Sequence, residues 1–252
     1  MNILISNYGN DSIALIQWAF LNAIANVTVV SWDTGWHDDS WPTHVNAGAA
    51  LAQRCGFTTH ILKARVGFSE LVTERGEFPT SKFQWCATLL KGVPLLQWLG
   101  QVDPTLQAQV LLPARRQALP AYAQLSEKID ECEQYGGRAA WHPLLDIALP
   151  ERDALITSAG FPILSHRSLE CDPCIHSGQR DFARLSPASC IKTAQLENNI
   201  GKVMFPIPEV KQAVASDINS LVARAHQSGI NDANNLLPTP HSGCGAPYGC
   251  GI

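Results

Sequence analysis

The sequence predicts an α/β fold, in which a doubly wound, mostly parallel sheet carries helices on both faces and a helical, cysteine-bearing part follows it. Two observations predict this class. Short apolar runs rich in β-branched residues alternate with segments whose apolar residues recur every three to four positions. The first strands are each followed by a helix before the next strand, which is the connection that parallel strands require. The 252 residues suffice for one large α/β domain or a domain with an appendage.

Strands are predicted at residues 1–5, 27–32, 58–64, 109–113 and 138–144. Helices are predicted after residue 12 and at residues 40–56, 151–160, 181–185, 187–200 and 209–228. Residues 82–99 are predicted to form two short helices broken near Gly92-Val93-Pro94, because proline disrupts a helix. The polar segment 126–134, which contains Cys132, is predicted to be exposed. Residues 231–252 are rich in Gly, Pro, Asn and Cys, and we expect them to be ordered only by contacts with a ligand, a metal or the main domain.

The composition excludes some classes of protein. A net charge of −4 argues against a protein that coats nucleic acid through a uniformly basic surface, although it allows a local basic groove. No run approaches 18 apolar residues, so no membrane span is predicted. The chain begins in a strand without the regions of a secretory leader, so we expect a cytoplasmic protein. The eight cysteines are then expected to be metal ligands or reactive thiols rather than disulfides.

The turn between the first strand and the first helix is the main candidate site. It consists of Ser6-Asn7-Tyr8-Gly9-Asn10-Asp11-Ser12. A tight polar loop at a helix N-terminus leaves backbone N–H groups unpaired, and with the helix dipole they form an anion site that suits phosphate. The competing interpretation is a plain turn capped by Asp11 or Ser12.

Two further groups follow strands and so lie at the carboxyl edge of the predicted sheet, where α/β proteins place ligand contacts. Asp33-Thr34-Gly35-Trp36 ends the second strand, and Arg115-Arg116 follow the fourth.

Cys171 and Cys174 form a Cys-x-x-Cys pair, whose thiolates lie close enough to share a metal or cluster. An iron–sulfur cluster, a structural zinc ion and a bare thiol pair are all compatible with this spacing. His166 and His176 could complete a zinc site, but lone histidines are more often surface residues.

Taken in order, these motifs resemble the PAPS reductase-like branch of the adenine nucleotide α-hydrolase (PP-loop ATP pyrophosphatase) superfamily. The chain is also similar to the ATP pyrophosphatase component of DNA phosphorothioation systems. The matching residues span roughly positions 1–200 and are Ser6-Asn7-Tyr8-Gly9-Asn10-Asp11-Ser12, Asp33-Thr34-Gly35-Trp36, Phe78-Pro79, Trp85-Cys86-Ala87-Thr88, Lys91 through Pro94, Trp141-His142-Pro143-Leu144-Leu145-Asp146 and Cys171-Asp172-Pro173-Cys174-Ile175.

The resemblance implies three parts: a PP-loop nucleotide-binding α/β domain (1–165), a Cys-x-x-Cys loop with C-terminal helices packed on it (166–230), and a Gly/Cys-rich tail (231–252). It implies ATP and Mg²⁺ as cofactors. The implied nucleotide-binding residues are Ser6, Asn7, Tyr8, Gly9, Asn10, Asp11, Ser12, Asp33, Thr34, Gly35, Lys91, Arg115 and Arg116.

The chain departs from the family pattern at the first loop, which lacks the lysine of many members and has Asn10 near its place. Phosphate charge must then be neutralised by Arg115, Arg116, Lys91 or Mg²⁺. Trp85 also stands where cluster-bearing reductases have a second cysteine.

The resemblance further implies a [4Fe–4S] cluster, with zinc as the alternative. Its expected ligands are Cys86, Cys171, Cys174 and Cys190, while Cys244 or Cys250 could replace Cys190.

The implied activity is an ATP pyrophosphatase, with Asp11 and Ser12 catalytic, that adenylylates an acceptor for sulfur incorporation. The acceptor would be DNA or tRNA, bound with partner proteins, and a cysteine desulfurase or other persulfide donor would supply sulfur. The alternative is a sulfonucleotide (PAPS or APS) reductase that releases sulfite, with Cys250 as nucleophile and thioredoxin as reductant. A nucleotide-binding regulator is the third hypothesis, and a homodimer is compatible with each.

Overall fold

The structure, a computed structural model, describes residues 1–119, 122–206 and 217–227. The strands in these residues are β1 (Asn2–Ile5), β2 (Val27–Asp33), β3 (Thr58–Lys63), β4 (Gln109–Leu111), β5 (Lys128–Cys132) and β6 (Arg138–Trp141). They form one sheet in the order β3-β2-β1-β4-β6-β5. Neighbouring strands are parallel, except that β5 is antiparallel to β6. The predicted α/β class with a mostly parallel sheet is confirmed.

The helices in the described residues are α1 (Asn10–Leu21), α2 (Trp41–Arg54), α3 (Phe68–Arg75), α4 (Trp85–Ala87), α5 (Val93–Val102), α6 (Leu149–Ser158), α7 (Gln179–Phe182), α8 (Pro187–Ile200) and α9 (Ile218–Gln227). Proline in the first turn of α2, α5, α6 and α8 suits positions whose N–H has no partner within the helix. Among the helices described, none combines the length and apolar character that crossing a bilayer demands.

Helices cover both faces of the sheet, because alternate residues of each strand point to opposite sides. Ile3 and Ile5 of β1 join an apolar cluster with Leu95 of α5 on one face. Leu4 lies between them in sequence and joins a second cluster with Ile13 of α1 and Ile156 of α6 on the other face. The sheet is therefore doubly wound, as predicted.

A third apolar cluster joins the C-terminal helices to the carboxyl edge of the sheet. Trp36, which follows β2, packs there with Phe68 of α3 and Trp85 of α4. Leu196 of α8 and Met204, which follows α8, belong to the same cluster. The cysteine loop between β6 and α8 is therefore held against the edge that carries the first-loop residues.

The segment predicted as two helices broken near Pro94 is instead continuous. α4 leads through a π-helical turn (Thr88–Gly92) directly into α5. Proline lacks the N–H that would bond four residues back, and a wider turn before it lets a helix continue without that bond. The prediction of a break was therefore wrong, although the irregularity lies where proline indicated.

Two elements were not predicted. Residues 126–134 were expected to be exposed, but they include β5, an edge strand with partly charged character. Cys132 pairs in register with Arg138 of β6 and is only 6% exposed, so the expectation of exposure is wrong for it. α3 was also missed, and Gly76, at φ +64°, ends it.

The predicted tail at residues 231–252, including Cys244 and Cys250, lies outside the described residues, as does most of the first half of the helix predicted at 209–228.

Candidate active site

The loop between β1 and α1 lies at the point where the strand order reverses, with β2 on one side of β1 and β4 on the other. Ligands of open α/β sheets bind outside the carboxyl ends of the strands at such a point. The loop is not an exposed turn: Ser6, Asn7, Tyr8, Asp11 and Ser12 are each at most 3% exposed.

The loop's own side chains bind several of its amides. The N–H of Asn7 donates to Ser12 Oγ (3.2 Å), that of Tyr8 to Ser6 Oγ (3.0 Å) and that of Gly9 to Asn7 Oδ1 (2.9 Å). For these three amides the structure differs from the expectation of unpaired donors. The first N–H groups of α1, at residues 10–12, have no partner within the helix and are the amides that remain available to an anion there.

Tyr8 anchors the loop to α2. Its backbone has φ 53°, and its ring lies so close to Gly48 that a Cβ on that glycine would be 2.3 Å from Tyr8 Cδ1. His44 Nε2 lies 2.8 Å from the Tyr8 carbonyl oxygen, which can only accept, so this nitrogen carries the proton. Burial lowers the pKa of His44 and raises the pKa of Tyr8 to about 12. Both groups are therefore neutral at pH 7.

Asp11, in the first turn of α1, binds two arginines. Its Oδ1 lies 2.8 Å from Arg115 Nε and 3.3 Å from Arg152 Nη1. The other oxygen, Oδ2, is buried and has no hydrogen-bond partner among the described residues. Because Mg²⁺ in nucleotide sites is held by one or two carboxylates and by phosphate oxygens, this oxygen fits that ion.

Arg152 was missed in the sequence. It lies in the predicted helix at residues 151–160, but nothing in the local pattern distinguishes it from a surface arginine. Its contact with Asp11 spans 141 positions, so only the packing of α6 on α1 shows it.

The other predicted cations bind elsewhere. Arg116 Nε lies 2.8 Å from Asp146 Oδ1, and Arg116 Nη1 donates to the carbonyls of Ala123 and Leu125. Lys91 is 2% exposed and forms an ion pair with Glu170. Of the three predicted cationic side chains, the structure brings only Arg115 to Asp11.

The Asp33-Thr34-Gly35 element has two separate roles in the structure. Burial disfavours the charged form of Asp33, but hydrogen bonds from Lys63 Nζ and the Gly35 N–H, both 2.9 Å long, hold its pKa below the usual 3.8. Thr34 Oγ1 donates to the carbonyl of Glu170 over 2.8 Å. The second strand thus presents a carboxylate and also binds the cysteine loop.

Backbone hydrogen bonds hold the cysteine loop along the residues that follow β2. The N–H of Asp172 donates to the carbonyl of Trp36 (2.8 Å), and Trp36 Nε1 donates to the carbonyl of Pro173 (2.9 Å). The N–H of Asp38 donates to the carbonyl of Leu169 (3.1 Å). The two segments therefore form a joined pair at the edge of the sheet.

A cavity beside this pair brings together three predicted metal ligands, Cys86, Cys171 and Cys174. Its empty space is about 540 Å³, counting the part open to solvent. The other lining residues include Thr34, Trp36, Phe68, Lys91, Arg167, Ser168, Glu170 and His176. The six described cysteines form no disulfide.

The described residues do not fit a metal or cluster site as they stand. None of their His, Cys, Asp and Glu side chains form a group of three or more arranged to hold a metal ion. Cys190, on α8, does not line the cavity, and burial together with the charge of Asp172 raises its pKa. The predicted four-cysteine cluster therefore has no support in the described part of the chain.

The loop and the cavity share a wall. Ser168, which lines the cavity, donates through Oγ to the carbonyl of Asn7 in the loop (3.4 Å). Asn10 Nδ2 donates to the carbonyl of Leu164 (2.9 Å), and the N–H of Leu164 donates to Asn10 Oδ1 (2.9 Å). The segment that leads into the cysteine loop therefore runs directly beside the first turn of α1.

Comparison with known proteins gives structural neighbours only. No family model and no curated protein matches the chain. A phosphoadenylyl-sulfate (PAPS) reductase from Candida auris, solved as a phosphate complex, is 19% identical with a TM-score of 0.45, and the match covers 64% of this chain and 74% of that one. NMN synthetase from Francisella tularensis is 10% identical with a TM-score of 0.46, covering 90% of this chain and 84% of that one. At these values the likeness does not assign a family or an activity.

Proposed function

We propose that the protein is a PP-loop ATP pyrophosphatase that adenylylates an acceptor for sulfur transfer. The observation that carries the proposal is the shared wall between the β1–α1 loop and the three-thiol cavity, made by the contact of Ser168 with Asn7. A phosphate-binding loop and a group of thiols this close suit an enzyme that activates one substrate and passes sulfur to it. Neither feature alone would favour this chemistry over simple nucleotide binding.

In this proposal the phosphate chain of ATP lies against the first turn of α1. The amides of that turn and the positive end of the helix dipole stabilise the leaving pyrophosphate. Arg115 supplies a fixed positive charge, and Asp11 Oδ2 would hold Mg²⁺, which neutralises phosphate charge when bound. Catalysis would come mainly from positioning and charge stabilisation, as is general for transfer at phosphorus.

The cavity is the proposed sulfur-handling side. Cys86, Cys171 and Cys174 line a space that is also lined by Arg167 and by the ion pair of Lys91 with Glu170. The thiolate is the form of cysteine that attacks sulfur. A persulfide donor such as a cysteine desulfurase would deliver sulfur here, and the acceptor would be DNA or tRNA held with partner proteins.

The alternative activity is reduction of PAPS or APS to sulfite with thioredoxin. The Cys250-Gly251-Ile252 sequence favours it, because it resembles part of the motif whose cysteine attacks sulfur in sulfonucleotide reductases. The same loop and arginine would bind the nucleotide in both reactions, so the substrate decides between them.

One experiment tests both. Anaerobically purified protein is given ATP with Mg²⁺ and DNA or tRNA as acceptor and, separately, PAPS with reduced thioredoxin. Release of pyrophosphate from ATP supports the proposed activity. Release of sulfite from PAPS supports the reductase activity instead. If neither product forms, the protein binds nucleotide without turning it over. Asp11→Asn should remove the activity, whereas Asp130→Asn, an exposed control on β5, should not.

Metal analysis tests the predicted cluster separately. About four irons per chain, with loss of visible absorbance in Cys174→Ala, would support the [4Fe–4S] prediction. Iron and zinc well below one per chain would assign the cavity to thiol chemistry alone.

A further inference from the structure

Phe83 is an exposed aromatic residue at the carboxyl edge of the sheet. Of the Phe, Tyr and Trp side chains in the described residues, only Phe20 and Phe83 are exposed, by 47% and 59%. Phe83 lies two residues before Trp85, which begins α4 and packs in the apolar cluster at the carboxyl edge. Phe20 lies near the end of α1, which starts beside the carboxyl end of β1 and runs back to the opposite edge. The two exposed rings therefore lie at opposite edges of the sheet.

A row of stacked groups joins the ring of Phe83 to the wall of the three-thiol cavity. The guanidinium carbon of Arg75 lies 5.9 Å from the centroid of the Phe83 ring and 4.9 Å from that of the Trp85 ring. The Trp85 ring lies 6.3 Å from the ring of Phe68, at an angle of 17°, and Phe68 lines the cavity. Cys86 also lines the cavity and follows Phe83 by three positions, so their Cα atoms are at most about 11 Å apart.

The immediate neighbours of Phe83 are polar rather than apolar. Residues 80–82, with the sequence Thr-Ser-Lys, precede it and are all exposed. Arg75 is exposed as well, and within the described residues its guanidinium contacts the two rings and forms no ion pair. Two exposed glutamates, Glu74 and Glu77, lie close to Arg75 in the sequence. The surface is therefore not strongly basic, and a ligand here would be held by stacking more than by charge.

These features suit a nucleic-acid base better than a protein surface. Lysine and serine are depleted in protein–protein interfaces, yet both flank this ring. Sites for single-stranded nucleic acid combine exposed aromatic rings with cationic side chains, because each base can stack on a ring and an arginine can add a cation–π contact. Stacking on a side chain requires an unpaired base, since the bases of a duplex cover one another's faces.

We propose that Phe83 stacks on an unpaired base of the nucleic-acid acceptor and so holds the acceptor beside the three-thiol cavity. Arg75 would donate to a phosphate oxygen of the same strand. This inference rests on the proposed function and deepens it, because it restricts the acceptor to a strand that is single or locally unpaired where it contacts the protein.

The test is fluorescence anisotropy with three labelled ligands: a single-stranded DNA of mixed sequence, the duplex of that DNA, and a tRNA, whose loops carry unpaired bases. Phe83→Ala should weaken the binding of single-stranded DNA or tRNA by roughly 5- to 150-fold, which corresponds to one stacked base. Phe83→Leu keeps apolar bulk without an aromatic face and should lose nearly as much, whereas Phe83→Trp should bind like the wild type. Phe20→Ala is the matched control, because it removes the exposed ring at the opposite edge, and it should change nothing. Melting temperatures check that each variant is folded.

A loss confined to single-stranded DNA or to tRNA supports the inference and identifies the acceptor. The inference fails if Phe83→Ala or Phe83→Leu binds as tightly as the wild type, if the duplex is weakened equally, or if the wild type binds none of the three ligands.

Release of pyrophosphate from ATP by the wild type tests the proposed function separately. If pyrophosphate is released but Phe83→Ala binds nucleic acid as the wild type does, the proposed function stands without a role for Phe83. If no pyrophosphate is released while Phe83→Ala weakens the binding of unpaired strands, the proposed function fails and the stacking contact stands.

Discussion

The ion pair of Lys91 and Glu170 gives a measurable test of how the cavity is built. The two side chains are 2% and 6% exposed, and they join the π-helical turn to the cysteine loop. Lys91→Met removes the cation and leaves the Glu170 carboxylate buried, which typically costs about 3–5 kcal/mol of stability. For a chain of this size that corresponds to a fall of roughly 6–20 °C in melting temperature.

The double variant Lys91→Met/Glu170→Leu should recover most of that loss, because replacing a buried ion pair by apolar side chains is often neutral. The deficit of Lys91→Met should also shrink between pH 7 and pH 5. A buried carboxylate that has lost its lysine takes up a proton more readily when folded than when unfolded, so its destabilising effect fades as the pH falls toward about 4.3.

Urea unfolding of the wild type, Lys91→Met, Glu170→Leu, the double variant and a control variant at both pH values measures these effects. Lys63→Met is the matched control, because Lys63 pairs with Asp33 over 2.9 Å but is 67% exposed, so its loss should change stability far less than the loss of Lys91. A Lys91→Met variant within about 1 kcal/mol of the wild type, or a double variant that loses the sum of both single changes, would refute the reasoning.

Three further predictions concern single residues. Asp11→Asn should abolish pyrophosphate release and lower stability, because the amide can still accept from Arg115 but no longer balances its buried charge. Asp11→Ala should cost about 3–5 kcal/mol in a melt, because it also removes the acceptor. His44→Ala should cost about 1–3 kcal/mol in urea by leaving the Tyr8 carbonyl unsatisfied, and His44→Gln should recover part of it. Although burial opposes its charged form, the hydrogen bonds that Asp103 accepts hold its pKa below 3.8, so wild-type stability should fall between pH 4 and pH 3, and Asp103→Asn should show a shallower fall.

The parts of the fold that depend on neighbouring residues could be predicted from the sequence. The spacing of apolar residues within the first 25 positions predicts the first strand, the loop and the first helix. The helix from Pro187 to Ile200 was also predicted from its own sequence, and its bounds agree with the prediction. β5 could not be recognised from the sequence. An edge strand pairs with a neighbour on one side only and so tolerates charged side chains, and such a charged segment has the composition of an exposed loop. Cys132 was misplaced for the same reason.

The candidate site could be predicted in its location but not in its bonds. The Asp33-Thr34-Gly35-Trp36 element was predicted to follow a strand at the carboxyl edge of the sheet, and it follows β2 there. The attachment of the cysteine loop to this element was not predicted. The arginine partners could not be chosen from the sequence, since Arg115 and Arg116 are adjacent, and only folding decides that the first contacts Asp11 and the second Asp146. The loop's use of its own Asn7 and Ser12 side chains for its amides also depends on backbone geometry that composition does not show.

The hydrogen bonds between the cysteine loop and the residues after β2 restrict how far the thiols of that loop can move. Shifting Cys171 or Cys174 by even a few ångströms would require breaking the bonds that Asp172 and Pro173 make with Trp36. These two thiols are therefore held in fixed positions. Under the proposed function, a sulfur donor would have to bring its persulfide to them, so the reach of the donor would decide which donors can be used.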